Sequence, residues 1–214
     1  MTAKLDDIDH MHSISSFTVS IYDRGYTSWS FHSDASKLPL SLTDYPVLSE
    51  FNPLNEKWFN GDVVSVSDNK CTLVSSVYKT QQHIPGVLIL EGNKTYGRTP
   101  NNKRLYYKCI PYDSGLPAFL IPYNAPVGFS KVQVNNYVTF HFDNWNGKHP
   151  YGILTETLGS VDNLEAFYEY QLYCKNLNAS IQDFVAETKK RLGDGGCEGR
   201  IISDYGVEDR RCWS

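Results

Sequence analysis

"IPGVLILEGNKTYGRTPNNKRLYYKCIPYDSGLPAFLIPY", residues 84–123, sets three short runs of strand-forming residues around one polar, glycine-containing loop. IPGVLILEG is apolar and β-branched, KRLYYKCIPY alternates basic with aromatic residues, and LPAFLIPY is short and bounded by prolines. Each pattern suits a pleated strand rather than a helix. Further on, QVNNYVTFHFDNW alternates cleanly and HPYGILTETLG closes the set, so residues 84–158 predict about five strands.

Five short strands are the number an OB-type barrel needs. Toward the N-terminus the same grammar recurs. FTVSIYD, RGY and TSWSFHS predict a strand, a tight turn and a second strand, and WFNGDVVSVSDNKCTLVSSVY adds two runs around the turn signal SDNK. The expected fold is mainly β: two small OB-type barrels, at 15–82 and 83–159, followed by a helical connector. At Ser160 the period changes, and Leu164, Phe167, Tyr168, Leu172 and Tyr173 recur near helical spacing, with Asp162 or Asn163 as N-cap. The connector is expected over 160–192. Residues 1–14 are polar and non-periodic and predict a flexible tail, while the glycine-rich GDGGCEG opens a linker over 193–214.

The 214 residues carry a net charge of -4. Such a chain does not coat polyanions with its whole surface, so any nucleic-acid contact must come from a local patch. No signal-peptide pattern opens the chain, and no apolar run approaches the roughly 18 to 20 residues that span a bilayer. An intracellular location, cytoplasmic or nuclear, and no membrane partner are expected. The five cysteines, Cys71, Cys109, Cys174, Cys197 and Cys212, are scattered without a C-x-x-C pair, which predicts reduced thiols rather than a disulfide framework or zinc site. His10 and His12 form an H-x-H pair with no companion ligands at metal-site spacing.

Within residues 86–111 the charge is reversed. Lys94, Arg98, Lys103, Arg104 and Lys108 stand against Glu91 alone, five minus one, or +4. Tyr96, Tyr106, Tyr107 and Tyr112 interleave with them. Cations that track phosphates and aromatic faces that stack on bases, at about 1 to 3 kcal/mol per base, suit a single strand of nucleic acid. In an OB barrel the face of the second and third strands and the loop joining the first two form the usual oligonucleotide surface. NKTYGRTPNNK is that loop. The candidate binding residues are Lys94, Tyr96, Arg98, Lys103, Arg104, Tyr106 and Lys108; Tyr106 and Tyr107 must point to opposite faces, and the sequence leaves open which one faces the core.

Catalytic signatures are absent: no G-x-S-x-G, no H-E-x-x-H, no P-loop, and no G-x-G-x-x-G leading into a helix. His141 and His149 stand alone, and Cys174 falls on the helical stripe. No catalytic or metal-binding residue is assigned, and no cofactor is expected in this chain.

WFNGDVV (residues 58–64) resembles the x-x-G-D-x-V element closing the first cold-shock domain of ribonuclease II and ribonuclease R type exoribonucleases, including the nuclease subunit of the exosome. GKHPYGILTETLGSVDNLEAFYEYQLY (residues 147–173) is similar to that family's later landmark, with Gly152, Leu158, Gly159, Asp162 and Glu165 matching. GRTPNNKRLYYKCIPYDSGLPAFLIPY resembles the start of the second cold-shock barrel, and VEDRRCWS the run-in to the catalytic domain. The resemblance implies two cold-shock-like barrels that guide single-stranded RNA toward a 3′-to-5′ hydrolase. In the family an aspartate cluster holding magnesium performs hydrolysis; this chain lacks that cluster, so magnesium is expected only with a catalytic domain supplied elsewhere. The resemblance thus implies an RNA-binding front end of an RNA-degrading nuclease. The alternative is a non-catalytic protein-interaction module derived from one.

Overall fold

A computed structural model describes residues 15–33, 40, 45–67, 70–101, 103–124, 133–177, 185–188 and 190. The tail with His10 and His12, the segment 193–214 and part of the connector lie outside the described residues.

Phe17, Val19 and Ile21 are buried and alternate with polar neighbours, which gives β1 (Ser15–Ile21) one apolar face. β2 (Trp29–Ser33) pairs antiparallel with it across a turn organised by Asp23, whose carboxylate accepts the N–H groups of Gly25, Thr27 and Ser28. β3 (Val63–Ser67) pairs with the other edge of β1, and β4 (Lys70–Ser75) pairs with β3. The order is β2-β1-β3-β4, a four-stranded open sheet rather than the expected first barrel. Closure needs strand where this chain has helical turns. Pro46 begins a 3-10 turn (Pro46–Glu50) and Pro53 begins α1 (Pro53–Glu56), positions that suit proline because the missing N–H has no partner to lose there. Leu48 and Trp58 from this segment cover the sheet, with Tyr45 against Phe17 at 4.8 Å and Trp58 against Phe31 at 6.4 Å between ring centroids.

The second half meets its expectation. After α2 (Val77–Thr80), β5 (Ile84–Leu88), β6 (Leu105–Pro111), β7 (Phe119–Tyr123), β8 (Asn136–Asn144) and β9 (Tyr151–Ser160) close into a barrel of order β5-β6-β7-β9-β8. β8 returns onto β5, and β7 meets β9 in parallel at Leu120 and Tyr151. First-second-third-fifth-fourth is an OB-like order. Leu88, Tyr107, Cys109, Phe119, Ile121, Val138 and Phe140 fill the interior. Gly152 leaves room for that filling, since a Cβ there would lie 2.8 Å from the Phe140 ring.

The barrel is followed by a short helix, α3 (Leu164–Cys174), capped by the Asn163 side chain, which accepts from the N–H groups of Glu165 and Ala166. The expected apolar stripe faces the barrel only in part, through Tyr173 and the half-buried Leu172. Ala166, Glu169, Tyr170 and Tyr173 are buried, whereas Leu164 is 62% and Tyr168 54% exposed. Ring contacts set this rotation: Tyr170 stacks on Tyr137 at 4.4 Å and Tyr173 on His83 at 5.5 Å. Gly159, at φ +143°, allows the helix to close in, because a Cβ there would meet that of Ala166 at 2.8 Å.

One turn joins sheet to barrel. Trp58 points into the sheet, while its neighbour Phe59, fully buried, stacks on Phe119 at 5.8 Å and Trp145 at 5.1 Å and meets Phe142 edge-on at 5.4 Å. Arg24, from the β1–β2 turn, donates to the carbonyls of Leu116 at 2.9 Å and Pro111 at 3.0 Å. Asp113, on the barrel side, accepts from Tyr78 Oη at 2.6 Å, Asn60 Nδ2 at 3.3 Å and its own loop at Gly115 N. The two sheets therefore share a single core. Phe59→Ala is expected to lose about 3 to 5 kcal/mol and to lower the stability of both halves together in urea unfolding followed by tryptophan fluorescence.

Asp62 closes the same turn, accepting the Phe59 N–H at 2.8 Å with its side chain fully buried. Burial raises its pKa above the ordinary 3.8, against the opposing influence of the Ser76 hydroxyl, the Phe59 N–H and the Lys79 charge. A raised folded value means that the stabilising contribution is complete below the unfolded value and is lost as pH rises through the folded one. Asp62→Asn, which keeps an acceptor oxygen without the charge, should match the wild type in acid and gain relative stability as pH rises to neutrality, measured by urea unfolding across pH.

Candidate nucleic-acid interface

Between β5 and β6 the chain rises from the barrel as a second, smaller hairpin. Tyr96 N donates to Tyr106 O, Tyr106 N to Gly97 O, and Thr99 N to Arg104 O, while Arg98 bridges Leu105. Two residues, Tyr96 and Gly97, thus oppose one, Tyr106, a bulge that bends the arm. Thr99 Oγ1 and the Asn101 side chain fasten the tip, receiving the backbone N–H groups of Arg104 and Lys103. A loop rich in charge holds its shape through backbone pairs and two uncharged side chains.

Alternation along β6 distinguishes the two tyrosines. Tyr107 is 4% exposed and Cys109 fully buried, so Tyr106 and Lys108 face outward. Arg104 continues the outward side, whereas Arg98, opposite Leu105, lies on the other face of the small hairpin. The predicted cations are therefore divided. Lys94, Arg98, Lys103 and Arg104 are all exposed, and Lys94 Nζ sits 5.5 Å over the Tyr96 ring. Tyr106 and Lys108 are half-buried.

The outer face of β6 and β7 has a second border. Tyr151, opening β9, meets the Tyr106 ring edge-on at 5.1 Å, and the β8–β9 loop brings His149 within the electrostatic reach of Lys108. Burial, then Lys148 and Lys108, hold the His149 pKa below its ordinary 6.5, opposed by a hydrogen bond to the Ala118 carbonyl. Burial, then Tyr151 and Asp143, raise that of Tyr106. Tyr106, Lys108, His149 and Tyr151 thus lie close together, with Asp143 as a neighbouring acid and Lys148 next to His149 in the chain. The sequence does not single out Lys148, His149 and Tyr151 for this surface, because they lie far along the chain from the basic hairpin. The order of a five-stranded OB barrel was the available signal, since it puts the fourth–fifth loop beside the face of strands two and three.

No group of three or more His, Cys, Asp and Glu side chains among the described residues could hold a metal ion. Cys71, Cys109 and Cys174 are free thiols, and burial pushes Cys71 up to about 11 and Cys109 higher, which disfavours the nucleophilic thiolate. No protein-family model matches the chain, and no curated protein matches it.

The charges around His149 generate a direct test. Its imidazole should titrate below 6.5 in an NMR pH series, and Lys108→Ala should move the midpoint upward by removing a neighbouring positive charge.

Proposed function

We propose that this chain binds single-stranded RNA across the outer face of β6 and β7, between the basic hairpin and the β8–β9 loop. The observation that carries the reading is that Tyr106 and Lys108, on the strand that continues the basic hairpin, lie on the outer face of the barrel, with Tyr151 edge-on to Tyr106 at 5.1 Å. Lys94, Lys103, Arg104, Lys108 and Lys148 hold phosphates, and Arg98 does so from the other side of the hairpin. Tyr96 and Tyr106 offer rings to unstacked bases. An OB-like barrel alone does not specify a ligand, so the weight rests on these side chains.

Together with the similarity of residues 58–64 and 147–173 to ribonuclease II and R type enzymes, this suggests the cold-shock-like front end of such an exoribonuclease. In that role the chain guides RNA to a magnesium-dependent catalytic domain. In this reading hydrolysis belongs to that other domain. A second reading, a protein-interaction module derived from such a nuclease, draws on the exposed Leu164, Phe167 and Tyr168 of α3.

Fluorescent single-stranded RNA of about 20 nucleotides should bind with affinity that falls steeply with salt and exceeds that for duplex. Lys103→Glu with Arg104→Glu should weaken binding at least about tenfold. Tyr106→Ala should weaken it by a smaller factor without unfolding the protein. Unchanged affinity in the folded double variant would remove the site assignment.

A further inference from the structure

α3 turns a face of Leu164, Phe167 and Tyr168 to solvent, at 62%, 37% and 54% exposure, although helices this short ordinarily bury their large apolar residues. The charges beside it have one sign. Between Lys148 and Lys175 the chain has Glu156, Asp162, Glu165 and the buried Glu169 and no Lys or Arg, a formal charge of -4 against the +4 of residues 86–111. Asp162 and Glu165 are exposed at the rim of the apolar face. No ion pair among the described residues joins these acids to the hairpin cations.

We infer that the exposed face of α3 docks the basic hairpin of a second copy of this chain. The complementarity is both electrostatic and apolar. Lys103 and Arg104 meet Asp162 and Glu165, while their aliphatic stems, with Pro100 and Tyr96, cover Leu164 and Tyr168. Arginine over the exposed Phe167 and Tyr168 rings adds a cation–π contact. The placement suits a closed pair rather than an open chain. Glu91 N and Val161 N are both fastened to Asn135, at 3.1 Å and 2.9 Å, so hairpin and helix leave the barrel side by side. A two-fold axis between them lets each hairpin reach the other copy's helix. RNA and the second copy then compete for the same cations, and self-association withdraws the binding face until RNA displaces it. The docking itself does not depend on RNA binding.

Sedimentation velocity over a concentration series at low and high salt tests this. Wild type should form a dimer that dissociates in high salt. Asp162→Lys with Glu165→Lys, and separately Lys103→Glu with Arg104→Glu, should each weaken the dimer at least about tenfold, through like charges brought face to face. An equimolar mixture of the two variants should dimerise again, because each hairpin regains an opposite helix. Tyr168→Ala, which changes no charge, should also weaken the dimer while far-UV circular dichroism stays unchanged. A wild type that remains monomeric at low salt, a reversal on α3 without effect, or a mixture that fails to associate overturns the proposal. The helix variant should keep its affinity for single-stranded RNA, so loss of RNA binding and loss of dimer are separately readable.

Discussion

The Trp58-Phe59 pair is the contact on which the rest depends. Adjacent residues in an extended segment point in opposite directions, and here one ring fills the open sheet while the next fills the mouth of the barrel against Phe119 and Trp145. Neither half seals itself. The sheet has edges and the barrel has an open end, so each supplies the apolar surface the other lacks. The polar groups around that joint follow the same logic: Arg24 satisfies carbonyls of the barrel loop, and Asp113 gathers donors from both sides. Burying an acid such as Asp62 beside the joint is tolerated because the turn N–H of Phe59 needs an acceptor there.

Much of the barrel is legible from periodicity. The five strands of the second half appear in the sequence as runs of period two separated by turn residues, and the barrel closes where β8 pairs with β5 and β7 with β9. The first half departs from its expected barrel for a specific reason. Its proline-containing stretch has as many apolar residues as a strand, yet Pro46 and Pro53 nucleate helical turns, and coverage by Leu48 and Trp58 replaces closure. Periodicity places the buried face of α3 only in part, at Tyr173. Leu164, Phe167 and Tyr168 have the spacing of a buried stripe, but the helix is positioned by tyrosine stacking and by the small contact of Ala166 on Gly159. An amphipathic pattern tells how many faces a helix has, whereas the choice of buried face belongs to its neighbours.

The candidate binding face shows the same division. Lys94, Arg98, Lys103, Arg104 and Lys108 are visible in the sequence because they are close along it; Lys148, His149 and Tyr151 are not, because only the barrel's order brings them near. Which of Tyr106 and Tyr107 turns outward is undecidable from two identical residues. It is fixed by register, since Tyr107 pairs with Ile121 in the interior-facing layer and Tyr106 with Pro122 outside it.

Gly152 and Gly159 have structural duties in this chain. Gly152 is required by the Phe140 ring, and Gly159 by a left-handed backbone and the approach of α3. Any barrel of this order with a helix packed against its last strand would place small residues there, so these positions speak for the architecture. RNA binding must be argued from the surface. There the net charge of -4 conceals a +4 hairpin and a -4 helix segment that begin next to each other at Asn135. A surface so divided is attractive to polyanions on one side and to cations on the other. Because exposed charges are screened within about 10 Å at 0.1 M salt, ionic strength should govern both encounters.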